Sequence, residues 1–124
     1  MRIDARSLGQ REGFDLRVET HPDNDTVPVA STYSADALLA YQADSWTYVA
    51  LRVVASKLGL DLGDSWIWGI ESGWFPEQEA GPITERFLDP IDPESSGYAR
   101  EDIEDLVSES LASATSKVAA LAKI

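Results

Sequence analysis

The hydrophobic positions along the chain follow two periods, one typical of strands and one typical of helices. In residues 13–20, GFDLRVET, Phe14, Leu16 and Val18 alternate with charged side chains, which predicts a half-buried strand. Residues 45–56, SWTYVALRVVAS, are largely apolar on both alternating faces, which predicts a central strand covered on both sides. A glycine-punctuated connection then leads to SWIWGIE, residues 65–71, and these two strands are expected to form a hairpin.

Two further segments carry the signals of helices. Ser34 is a suitable N-cap for ADALLAYQAD, with Asp36 favourably placed in the first turn of that helix. Residues 100–124 predict a long amphipathic helix, with acidic residues in its first turns and Lys117 and Lys123 near its end. The apolar stripe of this helix consists of Ile103, Leu106, Val107, Leu111, Ala114, Val118 and Leu121.

The region between the second hairpin strand and the last helix shows no clear period. Residues 72–99 carry four prolines, so we expect an irregular acidic insert that holds short elements such as ITERFLD. The whole chain, residues 1–124, fits one domain. The predicted fold class is α+β: a two-layer sandwich of about three antiparallel strands with two helices on one face, in the order β-α-β-β-α.

Composition narrows the range of functions. Of 124 residues 44% are apolar and none is cysteine, which is typical of a globular domain without disulfides or thiolate metal sites and favours a cytoplasmic location. We expect neither a membrane span nor a signal peptide, because no apolar run is long enough and MRIDARSLGQREGF lacks a hydrophobic region. The net charge of −12 argues against direct nucleic-acid binding, which needs a basic surface.

The negative charge is concentrated in the second half of the chain. Residues 71–109 contain 12 acidic side chains against Arg86 and Arg100, which gives a net charge of −10 for that segment. Such asymmetry indicates a basic partner or a need for solubility, and the charge alone does not separate these two explanations.

The motifs of common catalytic sites are incomplete. GDSW, residues 63–66, is similar to a hydrolase serine block, but the single histidine, His21, precedes it and no Asp-x-x-His follows. DNDT, residues 23–26, does not continue as a calcium loop, and LGLDLG lacks the features of a phosphate loop. Asp89, Asp92 and Glu94 fit solvated loop acids better than a catalytic pair. We therefore predict a non-catalytic protein without cofactor or metal.

The richest aromatic stretch is DSWIWGIESGWF, residues 64–75. In a strand Trp66 and Trp68 share one face, and we expect them to pack under a helix. Trp74 and Phe75 follow a glycine where the chain leaves the sheet, next to several acids. Two interpretations remain open for Trp74: it contacts a partner, or it closes the end of the sheet.

Residues 44–72, DSWTYVALRVVASKLGLDLGDSWIWGIES, resemble a block found in uncharacterised small acidic proteins of actinobacteria and their phages. The matching residues are Trp46, Tyr48, Val49, Leu62, Gly63, Ser65, Trp68, Gly69, Ile70 and Glu71. With the helices on either side, the resemblance covers about two-thirds of the chain. It implies a cytoplasmic, phage-derived setting and no particular mechanism, and the segment from Gly73 to Gly97 departs from it as a longer insert.

Three functional hypotheses follow. The first is an acidic interaction protein, in the phage setting a modulator of a basic host protein of nucleic-acid-binding or defence type. Its predicted contact residues are Trp74, Phe75, Glu77, Glu79, Glu85, Asp89, Asp92 and Glu94. The second is an assembly subunit, in which the strand at residues 46–56 completes its burial in a symmetric homodimer. The third is a small-molecule binder or hydrolase that uses Ser65 or Ser72.

Overall fold

A computed structural model of the chain describes residues 4–77 and 84–123. Its strands and helices follow in the order β-β-α-β-β-β-α. The strands are β1 (Asp4–Arg11), β2 (Phe14–Pro22), β3 (Trp46–Lys57), β4 (Leu60–Glu77) and β5 (Thr84–Leu88). The helices are α1 (Ala35–Gln42) and α2 (Arg100–Leu121). Neither of the described helices is long and apolar enough to cross a membrane.

The five strands form one antiparallel sheet in which each strand pairs with its neighbours along the chain, in the order β1-β2-β3-β4-β5. The fold is α+β, but the prediction of about three strands in the order β-α-β-β-α is wrong. β1, DARSLGQR, has no run of alternating apolar residues, and four of the five residues of β5 are exposed. A strand at the edge of a sheet needs no buried face, so its sequence lacks the alternation that reveals inner strands.

One face of the sheet packs against α2 and forms the core. β2 and β3 contribute alternate residues to this face, as the sequence pattern predicted, and α2 covers them with its apolar stripe. The buried residues of this hydrophobic core are Phe14, Leu16, Val18, Val49, Leu51, Val53, Ala55, Ile91, Ile103, Leu106, Val107, Leu111 and Ala114. The predicted half-buried strand, the β3–β4 hairpin and the long helix are therefore confirmed. The predicted apolar stripe is buried only as far as Ala114, because Val118 and Leu121 are exposed.

Small residues bring α2 unusually close to the sheet. A Cβ on Gly63 of β4 would lie against the backbone oxygen of Ser110 and 2.6 Å from the backbone nitrogen of Ala114. The buried hydroxyl of Ser65 donates to the Leu106 carbonyl at 2.7 Å, and the hydroxyl of Ser110 donates to the Val53 carbonyl at 2.9 Å. The sheet and the helix thus each donate a serine hydroxyl to the backbone of the other.

The opposite face of the sheet is covered at one end by α1. Trp46 of β3 is buried beneath this helix and donates its indole N–H to the Ala37 carbonyl at 2.9 Å. Ser34 caps α1 as predicted, since its hydroxyl accepts from the Ala37 amide. The expectation that both helices lie on one face is wrong, because Trp46 alternates with the residues that face α2. β3 is buried on both faces within a single chain, so its apolar pattern gives no reason for a dimer.

The segment at residues 72–99 contains more regular structure than expected. β4 extends to Glu77, and β5 pairs with its last residues in the register Gly73↔Leu88 to Glu77↔Thr84. A series of turns then leads from Asp89 to the start of α2. Ser95 stabilises these turns, because its hydroxyl accepts from the amides of Asp89 and Gly97 and donates to the Phe87 carbonyl at 3.2 Å.

Candidate protein-interaction surface

Two large aromatic side chains lie half-exposed where β4 meets β5. Trp74 and Phe87 are directly opposite each other in the strand register, and their ring centroids are 5.1 Å apart. Trp74 is 50% exposed and Phe87 is 49% exposed, so each has one surface on its aromatic neighbour and another in solvent. Trp74 is therefore half-exposed in the isolated chain, and its contact with a partner stays a prediction. We call these two residues the end pair.

Exposed acidic residues lie close to the end pair along the chain, and we call Glu85, Asp92 and Glu94 its acidic rim. Glu85 is exposed and lies two residues from Phe87 on β5, so both side chains project from the same face of that strand. Asp92 and Glu94 are exposed in the following turns, and Ser95 bonds these turns to the backbone of Phe87. The arrangement is an apolar centre with a charged rim, which is the anatomy of many protein interfaces.

The other predicted contact residues have different surroundings. Phe75 is only partly exposed, because its ring packs 5.1 Å from the centroid of Trp46 and 6.1 Å from that of Tyr33. Asp89 is also partly buried, and its carboxylate accepts from the Ile91 amide at 3.2 Å. Glu79 and the side chain of Glu77 lie outside the described part of the chain. The sequence prediction did not include Phe87, whose strand has too little periodicity to reveal a partner for Trp74.

Trp66 and Trp68 form a second exposed pair, which we call the face pair. The expectation that a helix covers them is wrong: Trp66 is 39% exposed and Trp68 is 56% exposed. They lie on the face opposite α2, beyond the part that α1 covers. Their rings stack at a centroid distance of 5.4 Å and an angle of 9°. Trp66 also packs 4.8 Å from the ring of His21 and lies under the Arg52 guanidinium at 5.5 Å, so Trp68 is the more accessible indole.

A network of ion pairs covers the same face beside the face pair. Glu19 of β2 accepts hydrogen bonds from Arg17 at 2.8 Å and from Arg52 at 3.2 Å, and lies 2.8 Å from the His21 ring. Arg17 also donates twice to Asp61, and Arg52 donates to Asp64 at 2.9 Å. These bonds join three neighbouring strands and hold the charged groups in fixed positions.

Glu19 stays ionised at low pH. Burial alone would raise its pKa, but hydrogen bonds from Arg17, His21 and Arg52 outweigh burial and lower the pKa from 4.5 to about 2. A pKa that is lower in the folded state stabilises the fold above the unfolded pKa and loses this contribution as the pH falls towards 2.

We therefore expect Glu19→Gln to change the acid stability of the protein in a defined window. The variant should be less stable than wild type at pH 7, by on the order of 2 kcal/mol, because both arginines lose a charged partner. The difference should shrink between about pH 4.5 and pH 2, where wild type protonates Glu19. Urea unfolding at several pH values measures this, and a difference that stays constant across the window would show that Glu19 has an ordinary pKa in the fold.

Two tyrosine hydroxyls and the Glu71 carboxylate of β4 form a hydrogen-bonded chain. Tyr48 donates to the Tyr33 oxygen at 2.7 Å, and Tyr33 donates to the Glu71 carboxylate at 2.6 Å. Burial and the bond to Glu71 both raise the pKa of Tyr33, so its hydroxyl remains a donor. Glu71 is thus held by an internal partner.

The residues considered for catalysis are not brought together. Ser65 is buried against α2, whereas His21 lies on the opposite face of the sheet in contact with Glu19 and Trp66. Asp23 is also buried, where its carboxylate accepts from the amides of Asp25, Thr26 and Gly69, and it therefore fixes the turn after β2. Within residues 4–77 and 84–123, no three side chains of histidine, aspartate or glutamate are grouped closely enough to hold a metal ion.

Comparison with known proteins adds no relative to these observations. No protein-family model, curated protein or solved structure matches the chain. The two aromatic pairs and the distribution of charge around them are therefore the features that indicate a function.

Proposed function

We propose that this chain is a non-catalytic acidic interaction protein that binds a basic protein surface, with the end pair as its apolar anchor. The observation that carries this proposal is the exposure of Trp74 and Phe87 side by side within an acidic rim. A large aromatic residue buries about 150–250 Å² when it is fully covered, so a partner would gain substantial contact area on two half-exposed rings. Tryptophan is also among the residues that most often dominate binding energy.

The charge supports the same kind of partner. Segment 71–109 has a net charge of −10, and Glu85, Asp92 and Glu94 are exposed near the end pair. Such a field accelerates encounter with a basic protein and weakens with salt over about 8 Å at physiological ionic strength. The resemblance to actinobacterial and phage proteins supports a bacterial cytoplasm as the setting. In that setting the partner is a host nucleic-acid-binding or defence protein, whose basic surface would otherwise contact phosphates.

Removing the anchor should weaken binding without unfolding the protein. We expect Trp74→Ala to reduce affinity for the partner by at least about tenfold, which corresponds to the loss of about 1.4 kcal/mol or more at a central aromatic contact. The measurement is capture of a basic protein from an actinobacterial lysate at low salt, followed by titration of the identified protein in increasing salt.

Leu39→Ala is the matched control, because Leu39 is an exposed apolar residue on α1, away from the end pair. This variant should bind as wild type does. If Trp74→Ala and Leu39→Ala bind the partner equally well, the end pair is not the binding surface. If the captured protein stays bound at high salt, the acidic rim does not contribute to binding.

A further inference from the structure

The outer edge of β4 is open over most of its length. β5 pairs with β4 only from Gly73 to Glu77, so within the described residues no strand pairs with the outer edge of residues 60–72. An open edge presents unpaired backbone N–H and C=O groups to any extended chain that can approach it. The open part of β4 ends where the end pair begins, so the two surfaces are continuous.

The other edge of the sheet differs in a way that matters for pairing. An irregular register does not distinguish the two edges, because β1 has one between Ser7 and Gly9 and β4 has one between Ile67 and Ile70. However, β1 carries Asp4, Arg6 and Arg11, and charged side chains are a common means of blocking edge pairing. In contrast, residues 65–70 of β4, SWIWGI, contain no charged residue and no proline. This stretch combines high strand propensity with an open edge, so β4 is the edge that favours an added strand.

One flank of α2 runs alongside this edge. Four residues of α2 are spaced by seven, four and four positions and so lie on one side of the helix: Asp102, Glu109, Ser113 and Lys117. Asp102 lines a cavity with Gly69 and Ile70, whereas Ser113 and Lys117 line another with Gly63. The helix therefore follows β4 in the opposite direction. Gly63 to Ile70 spans about 23 Å of strand, and Asp102 to Lys117 spans about 22 Å of helix.

The two cavities lie at the two ends of this edge, and we call the open edge of β4 between them, with the flank of α2 beside it, the slot. The first, of about 350 Å³, lies at Gly69–Glu71 and is also lined by Arg86 and Tyr98. The second, of about 260 Å³, lies at Asp61–Asp64. An extended segment of about seven residues has the length of this slot.

Acidic groups and exposed indoles flank the slot. The acids here are Asp61, Asp64 and Glu71 of β4 and Asp102 and Glu109 of α2, against the cations Arg52, Arg86 and Lys117. A strand added beside β4 would place alternate side chains next to Trp66 and Trp68, which lack a cross-strand neighbour on that side. Lysine or arginine at these positions would stack on the indoles. The intervening side chains would face Ile67 and α2.

We propose that the β4 edge between Gly63 and Ile70 binds an extended basic segment of the partner by strand addition, an inference that rests on the proposed function and names the form of its partner. Backbone hydrogen bonds would supply affinity, and the alternation of basic and apolar side chains would supply specificity. A second copy of this chain fits the slot less well, because two chains of charge −12 would bring like charges together.

The test uses a short capped peptide of alternating lysine and valine, with the matching glutamate–valine peptide as its charge control. Hydrogen–deuterium exchange of individual backbone amides is measured by NMR on the full chain. At a concentration ten times its Kd, the lysine peptide should slow exchange of the outward-facing amides in residues 63–70 by about tenfold, except that of Gly69, which already donates to Asp23. The β1 amides should not change, and the glutamate peptide should have no effect.

Paired charge reversals locate the contact. The double variant Asp102→Lys with Glu109→Lys should bind the lysine peptide at least about tenfold more weakly, because both residues flank the slot. Glu101→Lys with Glu104→Lys makes the same charge change on other sides of α2, and Glu104 contacts Arg11 instead; this variant should bind within about twofold of wild type. Trp68→Ala should weaken binding of the lysine peptide, whereas Trp74→Ala should leave this binding unchanged.

Several outcomes would overturn strand addition. They are equal protection by both peptides, protection at β1, no protection at all, or protection that appears without peptide as protein concentration rises, which would identify a second copy as the occupant. None of these outcomes removes the salt-sensitive, Trp74-dependent capture that supports the proposed function. Conversely, loss of that capture leaves a positive peptide result intact, so the two proposals fail separately.

Discussion

Gly63→Ala should destabilise the domain by about 3 kcal/mol, close to the upper end of what overpacking by a single methyl group costs. The added Cβ would meet the backbone oxygen of Ser110 and lie 2.6 Å from the backbone nitrogen of Ala114. A flexible side chain could move aside, but these atoms belong to a helix whose neighbouring turns are fixed. Relief would require α2 to lift away from β4, which would break the bonds from Ser65 to Leu106 and from Ser110 to Val53.

Urea unfolding followed by far-UV circular dichroism measures this loss, and Gly59→Ala is its control. A Cβ on Gly59 would meet no atom within 4 Å, but the residue has a φ of +77°. Its substitution should therefore cost only the backbone strain, about 1 kcal/mol. If Gly63→Ala costs no more than Gly59→Ala, α2 does not approach β4 as closely as described. If the helical circular dichroism signal falls before global unfolding, α2 detaches from the sheet first.

The elements that could be predicted from the sequence are those whose side chains form the core. β2 alternates because one face packs on α2, β3 is apolar on both sides because α1 and α2 cover opposite faces, and α2 carries a stripe. β1 and β5 are held mainly by backbone pairing with a neighbour, which any sequence can provide. The placement of the two helices on opposite faces could not be read either, since a period shows that a residue is buried and not what buries it.

The candidate site was predictable to a similar extent. Trp74 stood out because a large aromatic followed a glycine among acids, but its neighbour Phe87 lies 13 residues further on and meets it only through the β4–β5 register. Trp66 and Trp68 misled the prediction because apolar side chains in a strand are usually buried. Here the ion pairs of Glu19, Arg17 and Arg52 occupy the adjacent part of that face, so no helix covers it. The open edge of β4 depends on where β5 ends, which no local pattern encodes.

Trp46→Ala should be the most destabilising aromatic substitution in the chain, at about 4 kcal/mol. Trp46 is 1% exposed, and its ring contacts those of Tyr33, Tyr41, Tyr48 and Phe75 at centroid distances of 5.1–5.3 Å. Its indole N–H also bonds to the Ala37 carbonyl in α1. Removal of the side chain would leave a large cavity between α1 and the sheet, and α1, with eight residues, is too short to persist without packing.

Trp46→Phe and Trp68→Ala separate the causes of this loss. Trp46→Phe keeps most of the apolar volume and loses the indole hydrogen bond, so it should cost about 1–2 kcal/mol. Trp68→Ala removes the same side chain from an exposed position and should change stability by about 0.5 kcal/mol. Urea unfolding monitored by far-UV circular dichroism compares the three without depending on tryptophan emission. Equal losses for Trp46→Ala and Trp68→Ala would mean that Trp46 does not hold α1 on the sheet, whereas the expected order would assign one tryptophan to the fold and leave Trp68 free to meet a partner.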